Sequence, residues 1–367
     1  MKIVISGYYG FGNTGDEAVL KALVEGLRRQ DANIQICVFS ASPLFTSSVF
    51  KIEAIPRYSF ISIIRQILSA DLFISGGGSL FQDKTSRRSF FYYVALVWLA
   101  KLLRKKVMFF AQGFGPLRGR LNNFIARITL NIINLITVRD HESYQKIIVL
   151  GVNPARVFET ADPTLTLQVP YLKEGKNLFG LETLKAGNRL LVGIAARSLP
   201  KVSSNKLFEI LAQTADWIFA THGYYPFFFL FQSPEDREAT SKILGYMQGN
   251  STVNFRVAKP DEILAIISKC DLLIGMRLHS LVFAAISAVP MVGLSYDPKV
   301  EAFMKLVDQP YIDLEKELNL DLIKQKIETV IANSAAVKNT LEEKKIGLVA
   351  KAQLNFELLW KLLNSPA

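Results

Sequence analysis

Residues 272–294 read LLIGMRLHSLVFAAISAVPMVGL. Two apolar runs of strand length, 272–275 and 290–294, flank a longer apolar run of helical length. Strands that read as continuous apolar segments are buried on both faces, and a helix between two of them joins parallel neighbours in one sheet. The unit is therefore strand, turn, helix, strand. Its first turn carries an arginine and a histidine two positions apart, Arg277 and His279. Turns at the carboxyl ends of parallel strands are where open α/β sheets bind ligands.

The same rhythm runs along most of the chain. Strand-like runs stand at 3–6, 34–39, 72–75, 107–111, 135–138 and 156–159, then at 190–195, 226–231, 252–255, 272–275 and 290–294. With helical patterns between them they predict an α/β protein with parallel sheets covered on both faces. A chain of 367 residues is too long for one ordinary core. The stretch PYLKEGKNLFGLETLKAGNR breaks the pattern with Pro, Gly and charge. The expected organisation is an N-terminal domain over 1–170, a linker over 171–189 and a second domain over 190–310. Residues 311–367 are expected to be helices packing at the domain interface.

One internal correspondence suggests two similar halves. ILSADLFISGGGSLF (67–81) and ISKCDLLIGMRLHSL (267–281) share Ile67/Ile267, Asp71/Asp271, Leu72/Leu272 and Ile74/Ile274. Laid over each other, Gly76, Gly77, Gly78 and Ser79 fall where Met276, Arg277, Leu278 and His279 fall.

Composition narrows the classes. The net charge of +11 is uneven: residues 1–165 hold 20 Lys+Arg against 11 Asp+Glu, and the remainder holds 23 against 21. A basic half suits an anionic membrane surface, phosphorylated substrates or nucleic acid. No nucleic-acid motif accompanies it, so nucleic acid is not expected as a partner. Cys37 and Cys270 lie in separate apolar runs and read as buried small hydrophobes rather than a disulfide. The apolar stretch 89–100 is flanked by basic residues but is shorter than the roughly 20 residues a spanning helix needs. It reads as a buried crossover helix, with peripheral membrane contact as the other use for it.

Several constellations could carry chemistry. GYYGFGNTGDE (7–17) follows the first strand and precedes a helical pattern. Gly10, Gly12 and Gly15 fit the G-x-G-x-x-G dinucleotide spacing, but Asp16 and Glu17 open the helix where a pyrophosphate would sit, and no acidic residue closes the next strand. Asn13 and Asp16 are placed to face a sugar instead. The triple glycine of SGGGSLFQD brings backbone close to a ligand. Arg139 and His141 follow the run LITV, with His141 expected in an exposed loop, and His222 reads as a helix C-terminal residue before a glycine cap. At the opening motif, Ser280 is expected to cap the helix and leave His279 just outside its first turn. Orphan backbone N–H groups there favour an anion, a guanidinium adds bidentate recognition, and an imidazole exchanges protons near neutrality. Asp297 and Lys299 lie at the next strand end. Three scattered histidines and two isolated cysteines lack metal-ligand spacing, so no metal is expected.

In this order, GYYGFGNTGDEAVL, SGGGSLFQD, AQGFGPL, ITVRDHES, ADPT and GMRLHSLVFAA resemble the polysaccharide pyruvyltransferases, and among them the branch that pyruvylates bacterial cell-wall polysaccharide precursors. The resemblance runs from about residue 3 to residue 305. It implies two facing Rossmann-like domains in a GT-B-like arrangement, with a helical C-terminal tail. It implies phosphoenolpyruvate as donor, a saccharide or lipid-diphosphate-linked saccharide as acceptor, and no cofactor. Carried onto matching positions, it makes Arg139, Arg277, Leu278, His279 and Lys299 the phosphoenolpyruvate site, with His279 as general acid/base beside Arg277. Asn13, Asp16 and Gly76, Gly77 and Gly78 fall to the acceptor. The implied place is the cytoplasm, or its face of the membrane. A nucleotide-sugar glycosyltransferase of the same shape, for which Glu301 is the candidate ribose ligand, and a non-catalytic saccharide-binding protein are the competing readings.

Overall fold

The computed structural model describes residues 1–84, 86–170, 187–199, 204–249, 251–254 and 259–365. Residues 171–186 of the expected linker lie outside the described residues. The chain forms two compact units. One comprises Met1–Phe11, Asp16–Leu167 and Leu348–Ala367, the other Gly12–Gly15 and Gln168–Gly347.

The first unit holds β1 (Lys2–Ser6), β2 (Gln35–Ser40), β3 (Glu53–Pro56), β4 (Leu72–Gly78), β5 (Lys106–Gln112), β6 (Leu135–Val138) and β7 (Val157–Glu159). They form one parallel sheet in the order β3-β2-β1-β4-β5-β6-β7. Its helices are α1 (Thr14–Gln30), α2 (Pro43–Phe50), α3 (Phe60–Leu68), α4 (Arg87–Leu102), α5 (Arg120–Ile132) and α6 (His141–Val149). Successive strand residues point to opposite faces. Val4, Phe73 and Val107 thus pack with α3, α4 and α5, while Ile3, Ile5 and Ile74 pack with α1 and the end of the C-terminal helix. Phe356 of that helix meets Phe110 edge-on, and Asn355 donates to the Ala161 carbonyl.

The second unit holds β8 (Leu190–Ala195), β9 (Tyr224–Phe229), β10 (Thr252–Asn254), β11 (Leu272–Gly275), β12 (Met291–Ser295) and β13 (Tyr311–Asp313), parallel in the order β10-β9-β8-β11-β12-β13. The fold is two Rossmann-like units of the GT-B-like class, with a long C-terminal helix, Ser334–Asn364. Two strands depart from the sequence reading. β3 and β13 sit at sheet edges, where EAIP and YID need no apolar run, and β13 precedes the helices expected directly after Pro310. β9 also starts before its expected run, at Tyr224, which pairs with Leu190.

The internal repeat is structural. β1 lies between β2 and β4, and β8 between β9 and β11, so β4 and β11 hold equivalent places. Asp71 accepts from the backbone N–H of Lys2 at 2.7 Å, and Asp271 from that of Leu191 at 2.8 Å. Each aspartate ties its strand to the start of the sheet's first strand in sequence. The halves differ past this point: the three glycines continue β4, whereas β11 stops at Gly275 and turns. The glycines have a steric reason. A Cβ at Gly77 would run into Val19 of α1, one at Gly76 would lie 2.7 Å from the Tyr9 hydroxyl, and Gly78 has φ +84°. Triple glycine is what lets α1 and Tyr9 settle on this sheet.

Glu17, in the first turn of α1, is 3 % exposed and accepts from the Gly10 N–H at 2.7 Å. Burial pushes its carboxyl up to about 7, against the opposing pull of that N–H. In an unfolded chain the group titrates near 4.5. The folded form therefore holds the proton longer, and its advantage, full below pH 4.5, is lost as pH rises through about 7. The loss reaches about 3 kcal/mol. Glu17→Gln keeps an acceptor for Gly10 and removes the charge. Relative to wild type, its urea midpoint should rise between pH 5 and pH 8; a constant difference would contradict the assignment.

Candidate functional site

The opening motif lies at the carboxyl edge of the second unit's sheet. β11 delivers Met276 and Arg277, and the helix Leu278–Ile286 starts immediately afterwards. Arg277 itself holds the N-cap position, without a side-chain cap bond. Ser280, expected to cap, donates to the Arg277 carbonyl at 2.6 Å, which brings His279 inside the first turn rather than just outside it. The helix is buried along Ser280–Ile286, so the turn is mounted on rigid core.

Arg277 is held from the side. Its Nη2 pairs with Asp236 Oδ1, its Nε lies 3.2 Å from both Asp236 oxygens, and its Nη1 donates to Gln232 Oε1 at 3.2 Å. Burial pulls the guanidinium pKa down, but the Asp236 charge and hydrogen bond outweigh this and hold it above its ordinary value. Asp236 is 1 % exposed and also accepts from the backbone N–H groups of Phe231 and Gln232, at 3.0 and 2.9 Å. A carboxylate so fully engaged fixes the arginine's plane and keeps it charged.

Gly12–Gly15 belongs to this same unit. Asn13 pairs with Gln232 as an isolated antiparallel bridge, and Thr14 donates to the Phe231 carbonyl at 2.8 Å. Asn13 Nδ2 reaches Gln232 Oε1 at 3.4 Å while its Oδ1 accepts from the Gly15 N–H at 3.0 Å. Asn13, assigned to the acceptor by sequence, thus sits in the hydrogen-bond chain leading to Arg277. Gly15 is where the His279 ring packs: a Cβ there would run into Nδ1 and Cγ. The third glycine of the G-x-G-x-x-G spacing is therefore required by a histidine far along the chain.

Two neighbouring strands add cations to this edge. After β12, Asp297 caps the helix Pro298–Leu306 by accepting from the Lys299 N–H at 3.1 Å, placing Lys299 in the first turn. After β8, Arg197 donates to the Tyr296 hydroxyl at 2.7 Å and lies 4.8 Å from that ring. Its Nε is buried without a hydrogen-bond partner. Arg197, Gln232 and Asp236 were not singled out from sequence. Glu301, the candidate ribose ligand, accepts from the Tyr311 hydroxyl at 2.8 Å.

In the first unit, Arg139 follows β6 and pairs through Nη1 with Asp162 Oδ2 at 2.9 Å, both side chains 7 % exposed. Asp140 lies farther, 3.9 Å from Nε, and caps α6 by accepting from the Ser143 N–H. Asp162, within ADPT, has a role that spacing did not reveal. His141 is the first residue of α6 and bonds Glu159 at 2.7 Å, so it is helical rather than in a loop. His222 ends its helix before Gly223, at φ +71°. Asp16 Oδ1 lies where a Cβ on Gly78 would come within 2.9 Å, so Asp16 and the glycines do share a locality. In the same unit, Arg57 is buried beneath Phe11 and Tyr92, at 4.9 and 4.5 Å from the ring centres, with Nε and Nη1 unpartnered.

The model of the polysaccharide pyruvyl transferase family matches residues 13–298. The amylovoran biosynthesis protein AmsJ of Erwinia amylovora is 22% identical over 376 residues, covering 84% of this chain and 87% of its own. Among solved structures, Anabaena HepE in complex with UDP and glucose is similar with a TM-score of 0.64 at 14% identity, over 100% of both chains. UDP-GlcNAc 2-epimerase from Neisseria meningitidis, bound to UDP-GlcNAc, gives 0.62 at 14% identity over 98% of this chain and 100% of its own. At such identities the likeness of structures speaks for the fold alone.

Proposed function

The chain belongs to the polysaccharide pyruvyl transferase family, and we propose that it moves pyruvate from phosphoenolpyruvate onto a sugar of a bacterial cell-wall polysaccharide or its lipid-diphosphate-linked precursor. The product is a cyclic ketal, and phosphate is released. The observation that carries this reading is the turn after β11, where Arg277 is kept charged and oriented by Asp236 beside His279 in a helix's first turn. A donor bearing a carboxylate and a phosphate asks for fixed cations and helix-end N–H groups.

His279 gives a proton to C3 of the enol, and C2 becomes oxocarbenium-like. One sugar hydroxyl attacks C2 as its proton passes to His279. The C2–O bond to phosphate breaks, and a second hydroxyl closes the ketal, its proton leaving with the released phosphate. Arg139, Arg277, Leu278 and Lys299 are assigned to the donor, with Arg197 added because it follows β8, the strand paired with the β11 that leads into Arg277. Asp16, the three glycines and Arg57 are assigned to the acceptor. Asn13 acts through Gln232 on Arg277.

The test is phosphate release from phosphoenolpyruvate, followed with and without candidate saccharides. Release that requires both supports the proposal. Transfer that requires a nucleotide sugar and ignores phosphoenolpyruvate would replace it with the glycosyltransferase reading.

A further inference from the structure

The helices α3, α4 and α5 form one layer over one face of the first sheet, sharing the core that contains Ile63, Phe90, Val97 and Leu130. Their outer surface has an unusual make-up. On α4 the inward residues Phe90, Val94 and Val97 are buried, while Phe91, Trp98 and Leu102 are 40%, 45% and 79% exposed. Their spacing of seven and then four puts those three on one stripe. On α5, Leu121 and Phe124 are 62% and 58% exposed, and on α3, Phe60 and Ile61 are 68% and 73% exposed. The crossover helix at 89–100 is thus core on one side and open apolar surface on the other.

The charges of this layer have one sign. The three helices carry Arg65, Arg87, Arg88, Lys101, Arg120 and Arg127 and no acidic residue. From Lys84 to Arg139 the sequence has no Asp or Glu at all. Scattered exposed apolar residues are ordinary, but apolar stripes on adjacent helices among cations alone are not. A second copy docked here symmetrically would set arginines against arginines. Zwitterionic or neutral partners would leave the charge unanswered.

We propose that the α3–α4–α5 layer is a docking surface for an anionic lipid bilayer. Lipid phosphates meet the arginines and lysines while the exposed rings and leucines enter the boundary between headgroups and acyl chains. Among the described residues no helix is long and apolar enough to cross a membrane, so the contact is peripheral. The surface rests on the proposed reaction only for its use, which is to bring the protein to acceptors carried on lipid diphosphate.

Vesicle co-sedimentation of the full chain, with neither phosphoenolpyruvate nor acceptor present, tests the surface apart from the reaction. The protein should partition onto vesicles containing phosphatidylglycerol, not onto pure phosphatidylcholine, and high salt should release it. Ile61→Ser/Leu102→Ser/Leu121→Ser changes one exposed residue per helix and should lower partitioning at least tenfold with an unchanged melting temperature. Arg87→Glu/Arg88→Glu should lower it more than about fivefold for each charge removed. Absence of binding to anionic vesicles at low salt, or undiminished binding by both variants, overturns the proposal. So does lipid-free dimerisation that the serine variant abolishes, which would make the face a protein interface. Loss of binding with transfer intact on a water-soluble saccharide separates this surface from the catalytic reading.

Discussion

His279→Ala is expected to cut phosphate release from phosphoenolpyruvate and acceptor by about 10²–10⁴-fold, the usual worth of a positioned proton donor. The position is set by three independent features. β11 and the buried helix Leu278–Ile286 hold the backbone, Arg277 at the N-cap precedes it, and the bare Cα of Gly15 receives the ring. Alanine removes the imidazole and leaves the helix, whose packing comes from Ser280–Ile286. The variant should therefore melt within a few degrees of wild type. Glutamine, which can hydrogen-bond but not relay a proton near neutrality, should be nearly as slow as alanine. Full turnover by a folded His279→Ala protein would remove His279 from the mechanism.

The largest effect on stability is expected at a residue that touches no substrate. Asp236→Ala deletes the carboxylate that pairs with Arg277, whose side chain is only 11 % exposed. Breaking a buried ion pair from one side leaves an uncompensated charge and costs about 3–5 kcal/mol. It also strands the backbone N–H groups of Phe231 and Gln232. Activity should fall with stability, because Arg277 loses its fixed plane. The double variant Asp236→Asn/Arg277→Met separates the two losses. Asparagine retains an oxygen for the backbone donors and methionine needs no counter-charge, so most of the stability should return while activity stays lost. Urea unfolding of wild type, single and double variants reads the outcome. A double variant no more stable than Asp236→Ala would show that the ion pair is not what Asp236 contributes.

Much of this could be read along the chain. Continuous apolar runs between helical patterns announced parallel sheets, since a strand covered on both faces has no place for polar side chains. The likeness of 67–81 to 267–281 exposed the repeat, and its shared aspartates prove to make the same strand-tying bond. Of the four edge strands, β3 and β13 escaped, being short and only partly buried. The three glycines read as ligand-facing along the chain, and Val19 and Tyr9 add a packing reason that lies on other elements.

The sequence by itself therefore determined the architecture and the mount: which segments are strands, β3 and β13 apart, and that Arg277 and His279 stand where one of them turns into a helix. These follow from local periodicity, which a run of neighbours carries entirely. Tertiary structure alone decided who holds the arginines, Asp162 for Arg139 and Asp236 for Arg277, and that Gly15 must be bare for His279. It also decided that α4 buries one side and exposes an apolar stripe on the other. Such facts depend on which distant side chains the sheet order brings within a few ångströms, and no pattern of near neighbours encodes that.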